Sequence, residues 1–62
     1  MNPHPFDIDD VVEFGCERGR VVGLCRNVKH NTIETITVLF EDGTKEWFDS
    51  AAFDDIDIVE EA

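Results

Sequence analysis

The dipeptide Asp42-Gly43, set between the β-prone runs Ile33 to Phe40 and Lys45 to Phe48, restricts this chain more than any other feature. Asp-Gly between two such runs favours a two-residue type I′ hairpin, because both central residues then take φ > 0. With that turn, the numbers of facing residues sum to 85, so Phe40 faces Lys45, Val38 faces Trp47 and Thr37 faces Phe48. One face of the hairpin then carries Ile36, Val38, Phe40 and Trp47 and is the core candidate. The other carries Thr35, Thr37, Leu39, Glu46 and Phe48, and only a strongly curved sheet could bury its Leu39 and Phe48.

The rest of the chain reads as β in the same way. Val, Ile, Phe, Trp and Thr supply 22 residues, against five Ala and Leu, so strands outweigh helices. Val11, Val12 and Phe14 suggest a first strand, ended by a turn over residues 15–19 whose paired glycines fit it. A second strand follows over residues 20–27. Its apolar residues fall on both parities, which predicts a strand covered on both faces in its middle. A polar loop over 28–32 leads to the third strand, and the hairpin supplies the fourth. Ser50-Ala51-Ala52-Phe53 suits a single 3-10 turn capped by Ser50. Ile56 and Ile58 alternating with Asp55 and Asp57 suggest a half-buried last strand. Pro3 and Pro5 keep the start extended, so residues 1–8 are expected as a loose arm and residues 9–62 as a single domain. The whole is expected to be mostly β: a small five-stranded barrel with one short 3-10 turn before the last strand.

With 62 residues there is room for one small core and no multi-domain enzyme. No apolar stretch approaches the length needed to cross a bilayer, and MNPHPFDIDD lacks the pattern of a secretory signal. A cytoplasmic protein, with Cys16 and Cys25 reduced and buried, is the expectation.

The segments Gly19-Arg20-Val21-Val22-Gly23-Leu24, Ile36-Thr37-Val38-Leu39-Phe40-Glu41-Asp42-Gly43-Thr44 and Phe53-Asp54-Asp55-Ile56 together resemble the Tudor and KOW branch of Src-homology-3-like (SH3-like) barrels, over about residues 10–60. The resemblance implies a Gly-x-Val strand, a V-x-F-x-D-G hairpin, a short helical turn carrying an apolar residue and a closing strand. Methyl-lysine-reading Tudor domains hold a quaternary ammonium in an aromatic cage by cation–π attraction. Here only Phe40 matches a cage position, and Glu46 stands where a second aromatic would be. A methyl-lysine peptide reader is therefore a minor alternative.

Charge decides between the remaining functions. Fifteen acids against five Lys and Arg give −10, which opposes nucleic acid and anionic lipid over most of the surface and exceeds what solubility asks of a small domain. The expected function is a non-enzymatic module that binds the basic surface of a protein partner. Glu41, Asp42, Glu46, Asp49, Asp54, Asp55 and Asp57 form its acidic face, and Phe40, Trp47 and Phe53 are its candidate aromatics. A phage-like or bacterial accessory or inhibitory protein, including a mimic of the DNA phosphate field, has this size and charge. Residues 18–29 are the exception, carrying Arg18, Arg20, Arg26 and Lys29 with no acid. The alternative function is accordingly a nucleic-acid-associated, KOW-like barrel using those four on phosphates, while the commoner fate of such residues is pairing with nearby acids. His4, His30, Cys16 and Cys25 lack zinc spacing, and Asp55 and Asp57 lack a calcium loop. No metal and no cofactor is expected, and catalysis would require Cys25 and His30 to meet in a pocket.

Overall fold

A computed structural model describes residues 6–62. Five antiparallel strands form one sheet: β1 (Val11–Phe14), β2 (Glu17–Asn27), β3 (Thr32–Phe40), β4 (Lys45–Asp49) and β5 (Ile56–Glu60), with a 3-10 helix (Ser50–Asp55) before β5. Their order is β4-β3-β2-β1-β5. The chain is thus mostly β with the expected strand number and 3-10 turn. The sheet is not closed by hydrogen bonds, since β4 and β5 remain its two edges.

The sheet is nevertheless strongly curled. β1 and β4 are three strand spacings apart in the sheet, roughly 14 Å if it were flat, yet the rings of Phe14 and Phe48 lie 4.9 Å apart. The curl wraps a core of Phe6, Val12, Val21, Ile36, Val38, Phe40, Phe48, Phe53 and Ile56. The 3-10 helix touches β3, β4 and β5, and it carries Phe53 inward to an edge-to-face contact with Phe6, centroids 5.1 Å apart. That geometry suits the ring quadrupoles and adds to the area buried.

Bulges make the curl compatible with the side-chain pattern. Between Val21↔Val38 and Gly23↔Thr37 the extra residue is Val22, and between Cys25↔Thr35 and Arg26↔Ile33 it is Glu34. Each bulge shifts strand parity by one and bends the strand. Val21 and Leu24 can therefore both pack toward the core although they are three positions apart. The expected cover on both faces of β2 is absent for the same reason: Val22 and Cys25 are exposed.

The hairpin exists, but its register differs by one from the type I′ expectation. Leu39 pairs with Lys45, Val38 with Glu46, Thr37 with Trp47 and Ile36 with Phe48. Gly43 takes φ +92 while Asp42 stays at negative φ. The Gly43 N–H donates to Phe40 O (2.9 Å) and the Phe40 N–H to Thr44 O (2.8 Å). This is a three-residue loop, a type I turn closed by a left-handed glycine. One extra loop residue exchanges the faces of β4: Phe48 is buried beside Ile36 at 7% exposure, and Trp47 stands outside at 70%.

Other boundaries move for local reasons. The first turn is only Gly15-Cys16, with Phe14 already paired to Glu17 and Gly15 at φ +64. Gly19 lies within β2 opposite Phe40, where a Cβ would come within 2.6 Å of Val38 Cγ1 and 2.8 Å of Leu39 O. The strands can approach this closely only without a side chain there. Asp49, not Ser50, caps the 3-10 helix, its Oδ1 accepting from the Ala51 N–H at 3.2 Å.

The expected loose arm is partly core. Phe6 is 1% exposed. The Asp9 N–H donates to Val21 O (2.8 Å), and the Val21 N–H donates to Asp10 O (2.9 Å). The Asp10 carboxylate, 2% exposed, accepts from the Asp7 N–H and from the Ala62 N–H, each at 2.9 Å. A buried carboxylate is tolerated when backbone donors satisfy it, and this one ties the segment before β1 to the segment after β5. The part of the arm over residues 1–5 lies outside the described residues.

Candidate functional site: an acidic rim and a cationic outer row

The acids expected to act together are all exposed and follow one continuous path. Glu41 and Asp42 sit at the β3–β4 turn, Glu46 and Asp49 on edge strand β4, Asp54 and Asp55 on the 3-10 helix, and Asp57 on edge strand β5. Glu60 and Glu61 extend the same path. Residues 41–61 thus hold nine carboxylates and one cation, Lys45. β4, the helix and β5 are the two edges and the link between them, so this charge forms a rim along the open side of the sheet. Asp42 Oδ1 accepts from the Thr44 N–H at 2.9 Å, and bonding to the Thr44 backbone and hydroxyl holds its carboxyl below the ordinary value.

The aromatic candidates divide sharply. Phe40 is buried edge-on against Phe48, so the one ring that matched a Tudor cage position faces the core. Phe53 is buried as well. Neither presents a ring to a partner, and Trp47 alone of the three does. Apolar bulk and parity in the two-residue hairpin both pointed Trp47 inward, and that parity depended on a loop length that Asp-Gly leaves open.

The basic quartet is not gathered into one patch. Arg18 and Arg20 stand at the start of β2, whereas Arg26 lies six residues beyond Arg20, roughly 20 Å along the strand, and Lys29 is in the turn past it. Arg18 pairs with Glu13 across the β1–β2 ladder at 3.3 Å. Among the described residues, Arg20, Arg26 and Lys29 form no ion pair. Sequence order concealed a different grouping: the register aligns Val11, Arg20, Leu39 and Lys45 in one row across four strands. Beside it runs the row Gly23, Thr37, Trp47. A shallow depression of about 250 Å3, lined by Val11, Arg18, Arg20 and Leu39 among others, lies along the first row. A second, of about 260 Å3, holds Cys16, Glu17, Arg18, Glu41 and Asp42 between the two hairpin turns.

No protein-family model, curated protein or solved structure matches the chain.

Both cysteines are free and exposed rather than buried. Cys25 lies on β2 opposite Thr35, and His30 is in the turn beyond, its backbone N–H bonded to Asn27 Oδ1 at 3.2 Å. Among the described residues no hydrogen bond joins the side chains of Cys25 and His30, and no group of three or more His, Cys, Asp or Glu is placed to hold a metal ion. Nor does any helix there have the length and apolarity to cross a membrane.

Proposed function

We propose that this chain is a non-enzymatic interaction module that offers its acidic rim to the basic surface of a protein partner. The scaffold is an SH3-like barrel of the Tudor and KOW kind, and the setting is cytoplasmic. An accessory or inhibitory protein of bacterial or phage type, imitating the phosphate field of DNA, fits this description. The observation that carries the reading is the set of nine exposed carboxylates within residues 41–61, a stretch whose one cation is Lys45. Like charges held this densely cost folding free energy through mutual repulsion, and a cationic partner relieves that cost while being steered toward the rim.

The test is a pair of amide-resolved NMR titrations at physiological ionic strength, one with a lysine- and arginine-rich peptide and one with a duplex oligonucleotide. The peptide is expected to shift amides within 41–61, and the combined substitutions Asp54→Asn, Asp55→Asn and Asp57→Asn are expected to weaken that binding strongly. The oligonucleotide is expected to leave the spectrum unchanged. Oligonucleotide binding that fades on Arg20→Glu would overturn the proposal in favour of phosphate recognition by the outer row.

A further inference from the structure

We propose that the free edge of β4 is a self-association surface, at which two copies of this chain pair antiparallel about Trp47. The phase of the β3–β4 ladder directs backbone groups to that edge. Phe40 and Thr44 form a hydrogen-bonded pair. Alternation along the register then makes Val38–Glu46 and Ile36–Phe48 bonded pairs, and Leu39–Lys45, Thr37–Trp47 and Thr35–Asp49 non-bonded ones. The N–H and C=O groups of Lys45 and Trp47, and the N–H of Asp49, therefore point away from β3. An edge with unused donors and acceptors is a template for another strand.

The occupant is a second copy because the edge is complementary to itself. A two-fold interface needs one patch that matches its own inverse, and Lys45-Glu46-Trp47-Phe48-Asp49 does so about its centre. Antiparallel pairing there sets Lys45 of each copy opposite Asp49 of the other, Trp47 opposite Trp47, and Glu46 opposite Phe48. No like charges face each other directly. The Lys45, Trp47 and Asp49 side chains share the outer face, so the two ion pairs flank the indole pair. Among the described residues Trp47 is the one aromatic left largely exposed by the fold, and pairing would cover it. The opposite edge lacks these properties: β5 carries Asp57 and Glu60 and is bulged at Val59, both devices that discourage strand addition.

The full chain is tested by sedimentation equilibrium from about 10 μM to about 1 mM, a span that reports dissociation constants in the weak range expected of a short edge. The mass is expected to rise toward two copies. Lys45→Glu sets acid against acid at both flanks and is expected to weaken association about tenfold or more. Trp47→Pro removes an edge N–H that β3 does not use, a position where proline is tolerated, and is expected to leave a folded monomer. Exchanging the flanking charges with Lys45→Asp and Asp49→Lys is expected to restore the dimer, with circular dichroism confirming that the sheet survives loss of the Asp49 cap. A chain that stays monomeric throughout the range, or a dimer that persists undiminished in Lys45→Glu and in Trp47→Pro, would overturn the proposal.

Discussion

The ladder between β2 and β3 passes through two environments. At its near end, Gly19, Val21, Val38 and Phe40 are buried and the strands meet without a side chain between them at Gly19. At its far end, Cys25, Arg26 and Thr32 are exposed, and the turn places Val28 at 93% exposure. Both ends use β-prone residues and both continue the same backbone pairing. What separates them is depth of burial: Val21, Val38 and Phe40 belong to the buried core, whereas toward the far end Leu24 and Ile33 pack against it only partly buried. Propensity set the length of this ladder, and burial decides which part of it holds the molecule together.

The largest loss is expected when packing is removed at the near end, where Phe48 meets Phe40. Phe48→Ala should cost about 3–5 kcal/mol, read as a lowered urea midpoint, whereas Trp47→Ala on the opposite face should stay within about 0.5 kcal/mol. Equal losses for the two would mean the observed register is wrong. Gly19→Val comes next, because its new atoms collide with Val38 and with the carbonyl of Leu39. Overpacking at a site bounded by backbone should cost about 3 kcal/mol or somewhat less.

The far end should respond locally. Asn27 Oδ1 accepts from the Lys29 and His30 N–H groups at 2.9 and 3.2 Å, and its Nδ2 donates to Glu34 Oε2 at 2.8 Å. Asn27→Ala should therefore cost only about 1 kcal/mol, with faster hydrogen exchange confined to residues 27–32. A global loss like that of Phe48→Ala would erase the distinction between the two ends.

The smallest effect concerns the near-end turn and pH. The Asp42 carboxyl is held below its ordinary value by bonds from Thr44, so its contribution is complete above the unfolded value, about 4, and fades as the pH falls through the lower folded one. The Thr44 amide should lose protection there, read as its exchange rate relative to that of an unstructured amide at the same pH. Unchanged protection down to strongly acidic pH would show that the glycine alone shapes this turn.

Strand identity was legible because β-branched and aromatic residues cluster between glycines and polar runs. Loop length was not: Asp42-Gly43 suits both a two-residue and a three-residue turn, and only the gain from putting Phe48 rather than Trp47 beside Ile36 selects the latter. Phe6 was hidden by Pro3 and Pro5, since an extended segment can lie against a core as easily as in solvent. Asp10 was hidden among fifteen acids, and its role depends on Ala62, 52 residues away. The acidic rim was readable in outline because the charges crowd into one stretch of chain. The Arg20–Leu39–Lys45 row was not, because it exists only through register.

The bulge at Val22 bears on how this chain tolerates the loss of a residue. Deleting almost any position in β2 would reverse inside and outside for everything that follows, exposing Val21 or Leu24. Deleting Val22 would merely turn an irregular pairing into a regular one, with every neighbour kept on its own side. A shortened relative of this protein should therefore have its gap there, and should twist less.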